Sequence, residues 1–318
     1  MAERTRNLVI AYDPGLVDVA DFRQIRARIH ALAPDIEVFL ISNRAPSPSE
    51  VEAAAGRPTL VFSPTRLTGL RPLRGRVYAG RPMHKTVQTE VLAACGIRVP
   101  RTALLEPGMR PDPAEWGEFV VLKPASGRVG LGGRGVQLMR TERVRYIAPE
   151  DYPRGHPGRR SPMLLQYFVD TGQRPMHYRV ATLFGEVLFA YASRLVHERP
   201  PLDAPDDVLE AATIASNGGE RQRFFFEDEE VFALARRVYE AVPDAPLHGC
   251  DVVRDARDGT LHVIEFNPGG LTWHLSSRGE KLDAARAQLG GRDALINQFG
   301  AFDVAARVLI ERTRVEAE

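Results

Sequence analysis

Apolar runs and amphipathic stretches alternate through the first quarter of the chain. Residues 8–12 read as a strand, 19–32 as an amphipathic helix, and 36–42 and 59–63 as two further strands separated by turn-rich segments. Strand alternating with helix predicts a mainly parallel sheet. Asp13-Pro14-Gly15 follows the first strand where a dinucleotide fingerprint would need G-x-G-x-x-G, so that fingerprint is absent. Residues 67–82, rich in Gly, Pro and Arg, read as a linker. A helix over 84–95 closes at Gly96, a suitable C-cap, and residues 97–102 lead into a strand. Next come a strand over 119–123, a glycine-rich loop and a strand over 135–139. Residues 148–162 read as loop, 163–169 as a strand, and 178–183 with 187–193 as an antiparallel pair. Residues 197–224 read as a polar, partly mobile connection. A helix over 228–241 precedes strands at 249–254 and 260–266, and helices at 280–290 and 293–315 close the chain.

The 318 residues suffice for two or three domains, each with its own core. With 42 basic and 41 acidic side chains the net charge is +1, which argues against a protein that coats nucleic acid. No run approaches the roughly 18 apolar residues of a membrane span, and no signal-peptide core precedes the first strand. A cytoplasmic location without membrane or nucleic-acid partners is expected. Cys95 and Cys250 are too few for a disulfide framework and read as buried spectators. Of the 42 basic residues only Lys85, Lys123 and Lys281 are lysines. A genomic preference for arginine explains most of this, but it makes each remaining ammonium conspicuous.

Two segments carry candidate chemistry. In the first, the strand at 119–123 delivers Lys123, and five glycines lie among the thirteen residues 123–135. Glycines let backbone N–H groups approach an anion closely, and a lysine at a strand end supplies compact charge for phosphate oxygens. The lysine precedes the glycines, so this is not a P-loop; a hairpin with a flexible tip is the plainer alternative. In the second, Gly249-Cys250-Asp251 precedes Val263-Ile264-Glu265-Phe266-Asn267-Pro268-Gly269-Gly270. Glu265 and Asn267 are two apart on a strand and share a face. Across an odd-length loop, Asp251 would lie opposite Val263, one diagonal step from Glu265. Two carboxylates and an amide oxygen form a hard donor set suited to Mg²⁺. Partly exposed strand residues paired with arginines are the alternative.

Together these segments resemble the ATP-grasp superfamily over about residues 84–315. The pattern is most similar to its carboxylate–amine ligase branch, with glutathione synthetase, D-alanine–D-alanine ligase and the ribosomal-protein glutamate ligases. Lys85 resembles the lysine that opens the helix before the first small-domain strand, and Gly96-Ile97-Arg98-Val99-Pro100-Arg101-Thr102 resembles the Gly-Ile-x-Val-Pro-x-Thr turn. Lys123 resembles the second nucleotide lysine, and the loop carrying Ser126, Gly127 and Gly130 resembles the flap over the phosphates. Gln166, Tyr167 and Phe168 resemble the linker strand that meets adenine. Arg179 resembles the arginine of the Asp-x-Arg segment, Ser216-Asn217 a segment contacting ATP, and Asp251, Glu265 and Asn267 the metal ligands.

The resemblance implies an α/β and α+β chain with an ATP-grasp fold behind an N-terminal Rossmann-like domain. The implied units are residues 1–82, a small subdomain with the flap over 83–170, and a large subdomain with the metal site over 171–318. ATP and Mg²⁺, or Mn²⁺ in its place, are the implied cofactors. Lys123 and Arg179 take catalytic roles in activating a carboxylate as an acyl phosphate, which an amine then attacks. The implied partners are small-molecule or peptide carboxylates and amines, and dimerisation occurs in the family. His177 stands where the family has an Asp beside the ribose, with Asp170 as a substitute. The turn Pro268-Gly269-Gly270-Leu271-Thr272-Trp273-His274 departs from the ligases' pattern, which marks Gly269, Gly270 and Trp273 as acceptor-pocket candidates, with core packing the alternative for Trp273. Arg194 is a candidate for a substrate carboxylate, or a surface arginine. A phosphotransferase acting on a hydroxyl and a non-catalytic ATP-binding regulator are the competing readings.

Overall fold

A computed structural model describes residues 4–125, 133–215 and 218–318. The flap candidates Ser126, Gly127 and Gly130, and Ser216-Asn217, lie outside the described residues. The N-terminal unit comprises β1 (Arg6–Tyr12), α1 (Val19–Leu32), β2 (Ile36–Ser42), α2 (Pro48–Ala54), β3 (Thr59–Ser63) and β4 (Arg76–Ala79). Its strands form a parallel sheet in the order β2-β1-β3-β4. The inner strands are apolar throughout because both faces are covered. Phe22, Ile25 and Ile29 of α1 pack on one face, and Val9, Ile41, Val61 and Leu70 form a core on the other. The segment expected as a linker holds β4, whose exposed Arg76 and Val77 mark it as a sheet edge and hid its strand pattern.

Next come α3 (Lys85–Ala94), β5 (Thr102–Leu104), α4 (Pro113–Trp116), β6 (Phe119–Pro124), β7 (Gln137–Arg140) and β8 (Met163–Tyr167), with the strands in an antiparallel sheet of order β5-β8-β6-β7. His84 caps α3 through its imidazole, and Cys95 ends the helix in an exposed position, not the buried one expected.

The rest holds β9 (Met176–Leu183), β10 (Glu186–Leu195), α5 (Asp206–Glu210), β11 (Arg221–Phe225), α6 (Glu229–Ala241), β12 (Leu247–Arg254), β13 (Leu261–Pro268), α7 (Glu280–Gln288), α8 (Arg292–Phe299) and α9 (Ala301–Glu316). Five antiparallel strands form the large sheet, in the order β11-β10-β9-β12-β13. The supposed loop at 197–224 thus supplies α5 and an edge strand. The single closing helix expected over 293–315 is two, because Gly300 adopts the left-handed conformation (φ 65°) between α8 and α9. One face of the large sheet packs on α6 through Val180, Ala190, Cys250 and Phe266. The other shares a core with α9 and the N-terminal sheet toward one end, and carries the polar groups described next.

Candidate nucleotide and metal site

Three neighbouring strands bring Arg179, Asp251 and Glu265 into one row. Asp251 of β12 pairs with Arg179 of β9 on one side and with Glu265 of β13 on the other, and Gly249 pairs with Asn267. The expected diagonal arrangement is corrected by two local features. The hairpin loop spans residues 255–260, an even length, and sets Arg254 opposite Leu261 and Val252 opposite Val263. Continued unbroken, that register would face Asp251 with Ile264 and turn Glu265 to the other side of the sheet. A β-bulge inserts one residue at this point and returns Glu265 to Asp251's face.

Each carboxylate of the row meets a cation. Arg179 Nη2 donates to Asp251 Oδ2 at 2.8 Å, with Nε 2.7 Å from Oδ1. Lys85 Nζ, at the start of α3, donates to Glu265 Oε2 at 3.1 Å. From the small sheet, Lys123 Nζ donates to Gln166 Oε1 at 2.9 Å and reaches the Ile264 carbonyl at 3.4 Å. Burial, with Lys85 nearby, brings the Lys123 pKa down to about 7. Burial pushes Asp251 up to about 6 against the pull of Arg179. Glu265 stays below the usual carboxylate range, because Lys85 and Lys123 outweigh its burial. Lys85, Gln88, Thr102, Lys123, Leu164 and Glu265 line the cleft between small and large sheets. Lys281 is exposed on α7.

Among the described residues no group of three His, Cys, Asp or Glu side chains gathers as a metal site. Asp251, Glu265 and Asn267 make a set of three oxygen donors only with the amide counted. That set fits a hard divalent cation. Asp251 Oδ1 is buried and accepts no aligned hydrogen bond, and two carboxylates face each other across a strand pair, a costly arrangement without positive charge between them. Gly249 leaves room for this cluster, since a Cβ there would stand 2.9 Å from Arg179 Nη1 and 2.7 Å from Thr272 Cγ2.

The linker candidates are largely occupied by the protein itself. Gln166 uses its side chain on Lys123 and on Thr102 Oγ1 at 2.9 Å. Tyr167 N–H donates to the Arg101 carbonyl at 2.8 Å, and its hydroxyl accepts from Arg257. Phe168 is buried beneath Arg199. Asp170 is held by Arg199 at 3.0 and 3.1 Å. His177 shares the face of Arg179, and burial with Arg221 nearby drives its pKa down to about 3, leaving the ring neutral.

Two substrate-site candidates, Trp273 and Arg194, are corrected, and Gly269 has a structural reason of its own. Trp273 is fully buried, its Nε1 donating to Asp21 Oδ2 of α1 at 2.7 Å, so it packs core and lines no pocket. Gly269 is pressed against the N-terminal unit: a Cβ there would lie 2.4 Å from Gly80 Cα, and its φ is +97°, two reasons of packing for a glycine. Arg194 lies an odd number of residues from Tyr191, the partner of Arg179, so it faces the opposite side of the sheet, over Phe224 and donating to Gln222. Gly270 is exposed with open space around it. The strand reading missed Tyr191, Ser193, Arg221 and Arg223, which share the face of Arg179. The signal was Arg221 and Arg223 two residues apart, legible only once 221–225 is known to be a strand.

No family model matches the chain, and no curated protein matches it in sequence. Solved structures do match. D-cycloserine synthetase DcsG aligns over 95% of this chain and 99% of its own, at 17% identity and a TM-score of 0.51. The ATP-grasp ligase PsnB, complexed with a phosphomimetic variant of its minimal precursor, Mg and ADP, aligns over 98% and 99%, at 16% identity and a TM-score of 0.53. PsnB with precursor peptide PsnA2 and AMPPNP gives 96% and 98%, at 16% identity and 0.52. These likenesses establish the architecture: the chain has the ATP-grasp fold.

Proposed function

We propose that this protein is an ATP- and Mg²⁺-dependent carboxylate–amine ligase, which joins a carboxylate to an amine through an acyl phosphate and releases ADP and phosphate. The observation that carries the reading is the Arg179–Asp251–Glu265 row with Lys85 and Lys123 directed onto it. Asp251, Glu265 and Asn267 would hold Mg²⁺ or Mn²⁺. A divalent cation bound there supplies neutralisation of charge on the transferring phosphoryl group. Lys85 and Lys123 exchange carboxylate and amide partners for phosphate oxygens. Arg179, anchored by Asp251, presents its guanidinium to the substrate carboxylate and the phosphoryl oxygens as charge develops. The substrate carboxylate oxygen forms a bond to the γ-phosphorus as the bond to ADP breaks. The amine nitrogen then displaces phosphate and loses a proton. No protein nucleophile is needed, and burial raises the thiol pKa of Cys250, on the opposite face, away from reactivity.

The test is incubation of the full chain with ATP, Mg²⁺ and pooled amino acids and short peptides. Phosphate release with an amide product supports the ligase. A phosphorylated hydroxyl product without free phosphate would assign a phosphotransferase, and ATP binding without turnover a regulator. Glu265→Gln is expected to lower turnover at least a hundredfold with an unchanged circular dichroism spectrum; near-normal turnover would sink the metal assignment.

A further inference from the structure

Charge is spread unevenly along this chain of net charge +1. The 37 residues 53–89 hold six arginines and Lys85, and no Asp or Glu. Arg71, Arg74 and Arg76 follow one another along the run from Leu70 into β4, and all three are exposed. Glu50 and Glu52 stand on α2, and Glu316 and Glu318 lie near Arg76, with Glu316 already engaged by Arg312 and Tyr78. Among the described residues none of these carboxylates forms an ion pair with the three arginines.

The same run exposes apolar surface, with Leu73 66% and Val77 44% exposed. Val77 pairs with Val61 of β3 and shares its face, which α2 covers farther in. Beside them a shallow pocket opens between α2 and the 70–75 turn, lined by Val51, Ala54, Leu70, Leu73 and Arg74. β4 is the last strand of its sheet, and among the described residues its backbone bonds to no element beyond β3.

Charge of either sign guards an open edge against pairing with another chain. Guarding therefore does not account for a one-signed run set beside apolar side chains and a pocket. Strand addition uses all three features: free main-chain groups for affinity, a pocket for an alternate side chain, and complementary charge for selection. A nucleic acid would use the cations but neither the edge nor the pocket, and the one aromatic ring of the run, Tyr78, is buried and offers no base a stacking platform.

We propose that the free edge of β4 docks an extended acidic segment of a partner polypeptide. One apolar side chain of that segment enters the pocket beside Leu73, and its carboxylates meet Arg71, Arg74 and Arg76. Gly75, which leads into β4, lies against Thr59, at the end of the sheet opposite Gly80, the residue that touches Gly269 after β13. The docking surface is thus apart from the candidate nucleotide and metal site, and it stands whether or not the ligase reading holds.

The probe is a fluorescein-labelled ten-residue peptide of alternating glutamate and threonine with one central leucine. It is titrated into the full chain without nucleotide and followed by anisotropy. Saturable binding is expected, with slower hydrogen exchange in β4. Affinity falls about tenfold in a variant carrying Arg71→Gln and Arg74→Gln, whose circular dichroism spectrum and affinity for AMPPNP stay those of the wild type. Serine in place of the peptide's leucine weakens binding several-fold, and lysine in place of its glutamates, or N-methylation of alternate peptide bonds, abolishes it. No binding at millimolar peptide, or unchanged affinity in the double variant, would overturn the proposal. So would equal binding of the N-methylated peptide or of a ten-nucleotide RNA, because the surface would then answer to charge alone. A dimer in sedimentation that protects β4 and excludes the peptide would also overturn it, giving the edge to a second copy of this chain.

Discussion

Lys123 is the residue whose setting departs furthest from a surface lysine. It is buried, its pKa falls to about 7, and its closest acceptor is the neutral Gln166 Oε1 at 2.9 Å. Gln166 is therefore a positioning residue, oriented in turn by Thr102 Oγ1. Among the described residues, Gln166→Leu leaves the ammonium only the Ile264 carbonyl, at 3.4 Å. A hydrogen bond to a charged group contributes about 1.5–3 kcal/mol, so affinity for AMPPNP with Mg²⁺ is expected to fall at least tenfold by calorimetry. Unchanged affinity would mean that Lys123 does not meet the nucleotide. The lysines were legible from composition, because two of the three that this arginine-rich chain keeps converge on one cleft. Gln166's side-chain role was not, since nothing in Leu165-Gln166-Tyr167 states what lies opposite. Trp273 shows the converse: an aromatic beside the candidate metal strand read equally as pocket wall or core, and only the structure places it against α1.

At the scale of elements, long periodic segments announced themselves. The helix at Val19–Leu32 and the strands Ile36–Ser42 and Thr59–Ser63 stand where the apolar pattern put them. What the pattern could not reveal was pairing. The candidate metal row depends on an even hairpin loop plus a bulge between β12 and β13; each alone would send Asp251 and Glu265 to opposite faces, and neither leaves a mark in hydrophobic periodicity. Being an edge strand, β13 also has open hydrogen-bonding groups, and the preceding unit closes them. Val263 N–H donates to the Arg98 carbonyl at 2.9 Å, and Phe266 N–H to Gln88 Oε1 at 3.3 Å, while Gln88 Nε2 donates to the Met83 carbonyl. Gln88 thereby ties α3, which carries Lys85, to the strand that carries Glu265 and Asn267. Gln88→Leu strands a buried N–H, at about 1–3 kcal/mol. Faster hydrogen exchange at Phe266 is expected, with a several-fold rise in the KM of ATP. An exchange rate equal to wild type would show that the strand edge is held by other means.

At the scale of the molecule, the N-terminal sheet and the large sheet are bound as one body by α9 and by the turn that follows β13. Glu318 exchanges backbone hydrogen bonds with Thr59, Trp273 reaches Asp21, and Arg81 N–H donates to the Pro268 carbonyl at 2.8 Å. On the other face of the large sheet, the one α6 covers, His248 is fully buried between Tyr239 and Phe266, and burial brings its pKa down to about 4. An unfolded histidine takes up a proton near pH 6.5. Between that pH and about 4 the unfolded chain binds the proton and the folded one does not, so stability is complete above 6.5 and falls as the pH drops. The loss from this one ring is on the order of 3 kcal/mol. Asp251 acts in the reverse sense: its carboxyl, pushed up to about 6, binds a proton in the folded state first and gains stability as the pH falls. The two contributions overlap, so an absolute pH–stability curve does not separate them, but a variant does. His248→Leu is expected to reduce the drop in Tm between pH 7.5 and pH 5 by several degrees while leaving the Asp251 contribution in place. A drop equal to wild type would mean that the His248 ring keeps an ordinary affinity for protons in the fold, and that the core beneath α6 is open to water there.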